Sequence, residues 1–228
     1  MSVIKTFKVM DSQTRELAIQ VISSVYLQEK NWIRKPEDEI PHDISSSTKY
    51  SWFLATVNGE PAGVIRLTYD PSLEFPPELG VTLNQGIDLE KMAKDCKMVD
   101  IGRFMIIPQY RKNIRVALRL MRASIKEVVE RGYTHFITDV FESDPHSPLH
   151  FHTKVLGFER IGSHIHGELN CSSTRIILTL DILKTYEKLK IRKNKIYLEM
   201  TEGIRELLDE QLAKRFSAST RNSSVTSL

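Results

Sequence analysis

A mixed α/β fold is predicted for this chain: a predominantly antiparallel, twisted sheet flanked by helices. Two patterns carry the prediction. YSWFLATV and AGVIRLTY flank Asn58-Gly59, the clearest hairpin signal in the sequence. KMVDIGRFMII is followed by an amphipathic helix and then by THFITDV, the strand–helix–strand order of a parallel crossover. The 228 residues suffice for one substantial domain, and 41% apolar with 27% charged residues is an ordinary globular composition.

In chain order, VIKTFKVM reads as a short strand. Asp11 or Ser12 then caps a helix over 13–29, where Leu17, Ile19, Val21, Ile22, Val25 and Tyr26 fall mostly on one face. Residues 34–49 form a polar loop, and the hairpin follows. Segment 71–97, with Pro71, Pro76, Pro77, Gly80 and Gly86, is an irregular excursion with one helical turn near 88–94. After the strand KMVDIGRFMII, residues 110–131 form the strongest helix, closed by Gly132. THFITDV is a strand, PHSPLHFHTKV a short helix opened by Pro145 or Pro148, and RIILTLDIL the last strand. Apolar positions 196, 200, 204, 207, 208, 212 and 216 then recur at helical spacing in a highly charged stretch. The expected organisation is a domain over 1–183, a charged helical extension over 184–216 and a disordered Ser/Thr-rich tail over 217–228. The extension caps the fold or pairs two copies into a homodimer.

A net charge of +3 does not indicate a dedicated nucleic-acid binder. Cys96 and Cys171 match no metal or redox spacing and suit a reducing compartment. The N-terminus lacks a signal-peptide core, and no run reaches the roughly 18 to 20 apolar residues of a membrane span. A cytoplasmic protein without integral membrane association is expected.

The junction at 107–116 is the most informative stretch. A helix N-terminus offers unpaired N–H groups to an anion, and Arg111 and Lys112 add charge there. Arg111, Arg115, Arg119 and Arg122 share one helix face, where like charges cost a few tenths of a kcal/mol per pair. Such a face is either solvated or a dock for an acidic partner. On the preceding strand, regular alternation puts Asp100, Gly102 and Phe104 on one face and Arg103 on the other, so only a bulge would bring Asp100 and Arg103 together. His146, His150, His152, His164 and His166 cluster in sequence. His146 and His150 have zinc-compatible i,i+4 spacing, but no carboxylate or cysteine completes a ligand pattern, so no metal is expected. Trp32, Trp52 and Phe53 suit a core or the wall of an acyl tunnel.

"IIPQYRKNIRVALRLM" resembles the acyl-CoA-binding motif of the GNAT N-acyltransferase superfamily, V-x-P-x-Y-R-x-x-G-x-G/A-x-x-L. "FHTKVLGFERIG" resembles the superfamily's fourth motif. The resemblance covers about residues 5–182. It implies a GNAT-like fold and acyl transfer from a thioester to an amine, without a metal. It also implies donor binding at Ile106, Ile107, Gln109, Tyr110, Arg111, Lys112, Asn113 and Arg115. Ile114 and Val116 occupy the two glycine positions of the motif. His152 stands where many members have a tyrosine, which implies a general acid there.

A narrower resemblance is to acyl-homoserine-lactone synthases and long-chain N-acyl amino acid synthases. It rests on Asp100-Ile-Gly-Arg103-Phe104, on Tyr26 with Trp32, on Gly63-Val-Ile-Arg66-Leu67 and, loosely, on the acidic Glu37, Asp38, Glu39 and Asp43. Those enzymes take acyl groups from acyl carrier protein. The resemblance implies Asp100 and Arg103 in the chemistry, and Trp32, Arg66 and Phe104 against substrate. Acyl carrier protein would then dock on Arg111, Arg115, Arg119 and Arg122, and a backbone N–H near 105–107 would polarise the thioester carbonyl. The expected function is transfer of a fatty acyl group, from acyl carrier protein in preference to CoA, to the amine of a small metabolite such as an amino acid. The rivals are an acetyl-CoA-dependent N-acetyltransferase and a non-catalytic thioester-binding module.

Overall fold

The computed structural model describes residues 2–165, 169 and 173–225, with side chains described as far as residue 217. Among the described residues eight strands make one sheet: β1 (Ile4–Lys8), β2 (Tyr50–Val57), β3 (Glu60–Tyr69), β4 (Thr82–Leu83), β5 (Met98–Ile106), β6 (His135–Phe141), β7 (Glu159–His164) and β8 (Arg175–Asp181). Their order is β1-β2-β3-β5-β6-β8-β7-β4. β5 and β6 are parallel, and the other pairs among the described residues are antiparallel.

The sheet is covered on both faces, and β2 records this in its sequence. Seven of its eight residues are buried, because alternate side chains enter two cores. Trp52 and Leu54 pack with α1 (Ser12–Ile22) and the π-helical turn Ser23–Glu29. Phe53, Ala55 and Val57 pack with α3 (Ile114–Glu130). Each such Leu or Phe withdrawn from water contributes about 1.5–3 kcal/mol. α1 is held at its start by a capping box between Asp11 and Thr14.

The feature that positions the site is a splay. β5 and β6 pair only from Met98–His135 to Asp100–Ile137, and beyond that they part. In the diverging part β5 is bulged: Arg103 has φ of +51°, and the pairing shifts so that Arg103 and Phe104 together oppose Ile65. A bulge bends its strand and increases local twist, which helps carry β5 away from β6.

Several elements differ from expectation. α3 starts at Ile114 rather than 110, because Pro108–Tyr110 closes a separate 3-10 turn and Asn113 caps the helix. β4 and β7 add two strands. β7 was obscured because ERIGSH alternates poorly; a register shift falls between Arg160 and Gly162. The 13–29 helix changes to π-helical winding after Ile22. Phe151–Leu156 is likewise a π-helical turn. The excursion contains α2 (Leu89–Asp95), and its Leu73, Phe75, Val81, Ile87, Leu89 and Met92 pack on Ile137, Ile161 and Ile177. It covers that part of the sheet rather than the cleft beside β5.

The charged extension forms α4 (Ile182–Arg192), α5 (Lys195–Thr201) and α6 (Arg205–Val225). Leu183, Tyr186, Leu189, Tyr197, Met200, Ile204 and Leu208 enter the same core as α3. Helix α6 runs on into the Ser/Thr-rich stretch as far as Val225.

Candidate active site

A cavity of about 490 Å³ fills the splay between β5 and β6. Its wall draws on both sides of the sheet. Val25, Tyr26, Trp32 and Phe141 belong to the packing on the α1 face. Phe104, Ile106, Phe151 and Val155 belong to the packing on the α3 face. The cavity therefore draws its wall from both faces of the sheet at the gap.

On the α3 side the mouth lies at the helix start. The Asn113 side chain accepts the Arg115 N–H at 3.3 Å, so one helix-terminal donor is already used. Val116 is fully buried, and Ile114 projects its branched side chain at the mouth. Arg111 is turned away from this end: its Nε donates to Ile106 O at 3.0 Å, and Nη1 donates to Glu29 at 2.9 Å. The Arg111 guanidinium in turn holds the Glu29 carboxyl below its usual range.

Along β5, Ile107 N–H donates to Ala62 O at 3.0 Å. Strand N–H groups alternate in direction, so the Ile106 N–H and C=O point away from β3 into the splay. The expected carbonyl-polarising donor within 105–107 is thereby reduced to Ile106. The bulge turns Arg103 onto the cavity wall with Asp100, Gly102 and Phe104, instead of leaving it on the opposite face. Arg103 Nε donates to Glu39 at 2.6 Å, and its guanidinium lies 5.7 Å from the Tyr26 ring. Burial pushes the Tyr26 phenol up to about 12, so it stays protonated at neutral pH. Arg66 lies across Gly102, where a Cβ would sit 2.7 Å from Arg66 Nη2. Its buried Nε has no hydrogen-bond partner among the described residues.

His152 is fully buried among Phe104, Phe151 and Phe158, with ring centroids 5.4, 5.7 and 4.9 Å away. Its Nδ1 is 3.0 Å from Pro148 O, a contact that requires Nδ1 to carry the proton. Burial lowers its pKa to about 4. Nε2 is therefore a bare acceptor at neutral pH, an arrangement at odds with the general-acid role that the resemblance implies for His152. Across the gap, Asp139 Oδ2 lies 3.1 Å from both His164 Nε2 and Arg175 Nη1. Burial works to raise the Asp139 pKa, but His164 and Arg175 outweigh it and hold the carboxyl below its usual range.

The cavity wall includes Asp100, Arg103, His152, Trp32, Arg66, Phe104, Ile106 and Arg111 from the sequence-predicted set. Ile107, Gln109, Tyr110, Lys112, Asn113 and Arg115 lie outside it, in the turn and first helical residues, where Tyr110 packs on the core. The arginine row is not an open face. Arg115 and Arg119 pair with Glu199 of α5 at 3.2 and 2.7 Å, Arg122 pairs with Glu202 at 2.5 Å, and Arg111 is held by Glu29. Asp139 and Arg175 were missed, although each is a charged residue in an otherwise apolar strand segment, FITDVF and RIILTL. His166 and Cys171 lie outside the described residues. Among the described residues no group of His, Cys, Asp and Glu could hold a metal ion, and no helix is long and apolar enough to cross a membrane.

A mixed sheet splayed beside a helix start, with a cavity at the gap, is the fold of the GNAT superfamily, and with the family match that follows it makes this chain a GNAT-superfamily N-acyltransferase. The sequence matches the family described as N-acyl amino acid synthase FeeM over residues 18–173, more than half the chain, and the chain belongs to that family. Among solved structures it is similar to FeeM, an N-acyl amino acid synthase from uncultured soil microbes. That match has 13% identity and a TM-score of 0.60, and it covers 86% of this chain and 100% of that one. It is also similar in fold to the aminoglycoside 6'-acetyltransferase type Ii (16% identity, TM-score 0.53, covering 79% and 97%). A GNAT-family acetyltransferase from Streptococcus pneumoniae is comparable (16%, 0.52, 79% and 99%). No curated protein matches the sequence.

Proposed function

We propose that this enzyme transfers a fatty acyl group from acyl carrier protein to the amine of an amino acid. The observation that carries the choice of donor is the α3 start. Ile114 projects where a glycine would admit a pyrophosphate, Asn113 already caps the helix, and Arg111 is committed to Glu29 and Ile106 O. A donor gripped through its pyrophosphate finds little to hold it there. A phosphopantetheine arm needs less, because its amides can pair with the β5 edge left open by the splay. The 490 Å³ cavity lies within the roughly 300–1,000 Å³ of small-molecule sites, and its aromatic wall suits an alkyl chain. Membership of the FeeM family supports an amino-acid acceptor.

In this scheme the thioester carbonyl faces the Ile106 N–H, which stabilises the oxyanion as the amine adds to the carbonyl carbon. Asp100 on the adjacent wall orients the ammonium and receives its proton directly or through water. Collapse of the tetrahedral intermediate breaks the C–S bond, and the nitrogen's remaining surplus proton passes to the departing sulfur through water, so that pantetheine leaves as the thiol. Arg111, Arg115, Arg119 and Arg122 contribute to carrier docking only through what their internal carboxylate pairs leave exposed, chiefly Arg115, at 43% side-chain exposure. Mass spectrometry of products from acyl carrier protein thioesters, acyl-CoAs and an amino-acid pool tests the reading. N-fatty-acyl amino acids formed from the carrier thioester are expected. Acetylated amines formed from acetyl-CoA alone would overturn it.

A further inference from the structure

Arg175 opens β8 with only 7% of its side chain exposed, on the wall of the cavity. The strand register explains what surrounds it. Phe141 on β6 and His164 on β7 are its direct cross-strand neighbours, and Asp139 is the diagonal one. Nη1 donates to Asp139 Oδ2 at 3.1 Å, and the guanidinium carbon lies 4.6 Å from the Phe141 ring centroid. Asp139 is itself held by His164 Nε2 at 3.1 Å. The guanidinium is thus fixed on one side and stacked on one face. Its other edge, Nε and Nη2, is buried and has no hydrogen-bond partner among the described residues.

That edge is the parallel pair of N–H groups that fits both oxygens of a carboxylate. Two donors of a buried cation left without acceptors are costly, and such a pair on a residue of the cavity wall calls for an explanation in function. The place is suitable, because Arg175, Phe141 and Trp32 line the α1 side of the gap, across from the mouth where the donor arm enters. We infer that the Nε–Nη2 edge of Arg175 is the anchor for a carboxylate carried by the acceptor, with Asp139 and His164 as positioning residues that hold the guanidinium. This rests on the reading of the cavity as the meeting place of a thioester and a small amine. What it adds is the residue behind the amino-acid acceptor already proposed: Arg175 is the group that makes a carboxylate beside the amine tighten binding.

Equilibrium binding tests this without a donor. The probes are N-decanoyl-phenylalanine and N-decanoyl-glycine, each beside its counterpart lacking the carboxylate, N-decanoyl-phenethylamine and N-decanoyl-methylamine. Wild-type protein should bind at least one acid about tenfold or more tighter than its counterpart. Arg175→Gln should erase that difference while still binding the neutral conjugate, and Arg175→Lys should restore part of it. Because Arg175→Gln strands Asp139, the double variant Asp139→Asn with Arg175→Gln is measured alongside; it too should bind acid and neutral conjugate alike. Equal binding of the pair by wild-type protein, no binding of either, or a preference that survives both Gln variants would overturn the anchor. The two readings fail separately. A protein that keeps the carboxylate preference yet acylates no amine from a fatty thioester loses the transfer proposal alone. One that turns over but ignores the carboxylate loses the anchor alone.

Discussion

Gly102 and Arg66 show how one missing methyl group shapes the site. A Cβ at Gly102 would meet the far end of a flexible side chain, so Gly102→Ala is accommodated by moving the Arg66 guanidinium rather than by unfolding. We expect kcat/KM to fall about tenfold or more while Tm changes by no more than about 2–4 °C, the equivalent of roughly 1 kcal/mol in a chain of this size. Unchanged kinetics would remove Arg66 from the site. His152 carries a prediction of a different kind. Its pKa falls from 6.5 unfolded to about 4 folded, so the folded state resists a proton that the unfolded state accepts. Its contribution to stability is complete above pH 6.5 and is lost progressively as the pH falls toward 4. His152→Asn, whose amide nitrogen can take the place of Nδ1 and donate to Pro148 O, should unfold with a shallower pH dependence across that window. An identical slope would contradict the buried neutral histidine. At this scale the sequence exposed the wall residues of β5, because D-I-G-R-F is a recognisable pattern. It concealed Arg175 and Asp139, since their meeting depends on cross-strand register, which residue order does not display.

Among the elements, the arginine row of α3 was legible as a row but not as a seam. Its spacing placed four arginines on one face; only the packing of α5 reveals that Glu199 and Glu202 meet them. Glu199 separates two like charges one helical turn apart, and it sits mostly buried between Arg115 and Arg119. Glu199→Ala should cost about 1–3 kcal/mol and loosen the C-terminal helices, read as a lower Tm and faster amide exchange in α5. If exchange in α5 is unaltered, the seam does not hold the extension. The hairpin, α1, α3 and the crossover were legible because period and turn chemistry agree over long segments. β7 was not, since Gly162 and a register shift break the alternation, and the short helix expected before it was legible as a helix but not in its π winding.

For the molecule as a whole, the architecture follows from a sheet covered on both faces but split where β5 bulges, so that one cavity draws its wall from both faces. The donor side is recognisable by what it lacks: no glycine at 114 or 116, and no free Arg111 at the helix start. The most direct test of the account compares one fatty acyl group on three carriers: acyl carrier protein, CoA and free pantetheine. If the pyrophosphate is not gripped, acyl-CoA and acyl-pantetheine should have kcat/KM values within about threefold of each other, which is less than 1 kcal/mol of differential binding, with the carrier protein thioester well above both. An acyl-CoA that outperforms acyl-pantetheine by about a hundredfold, and matches or exceeds the carrier protein, would contradict it.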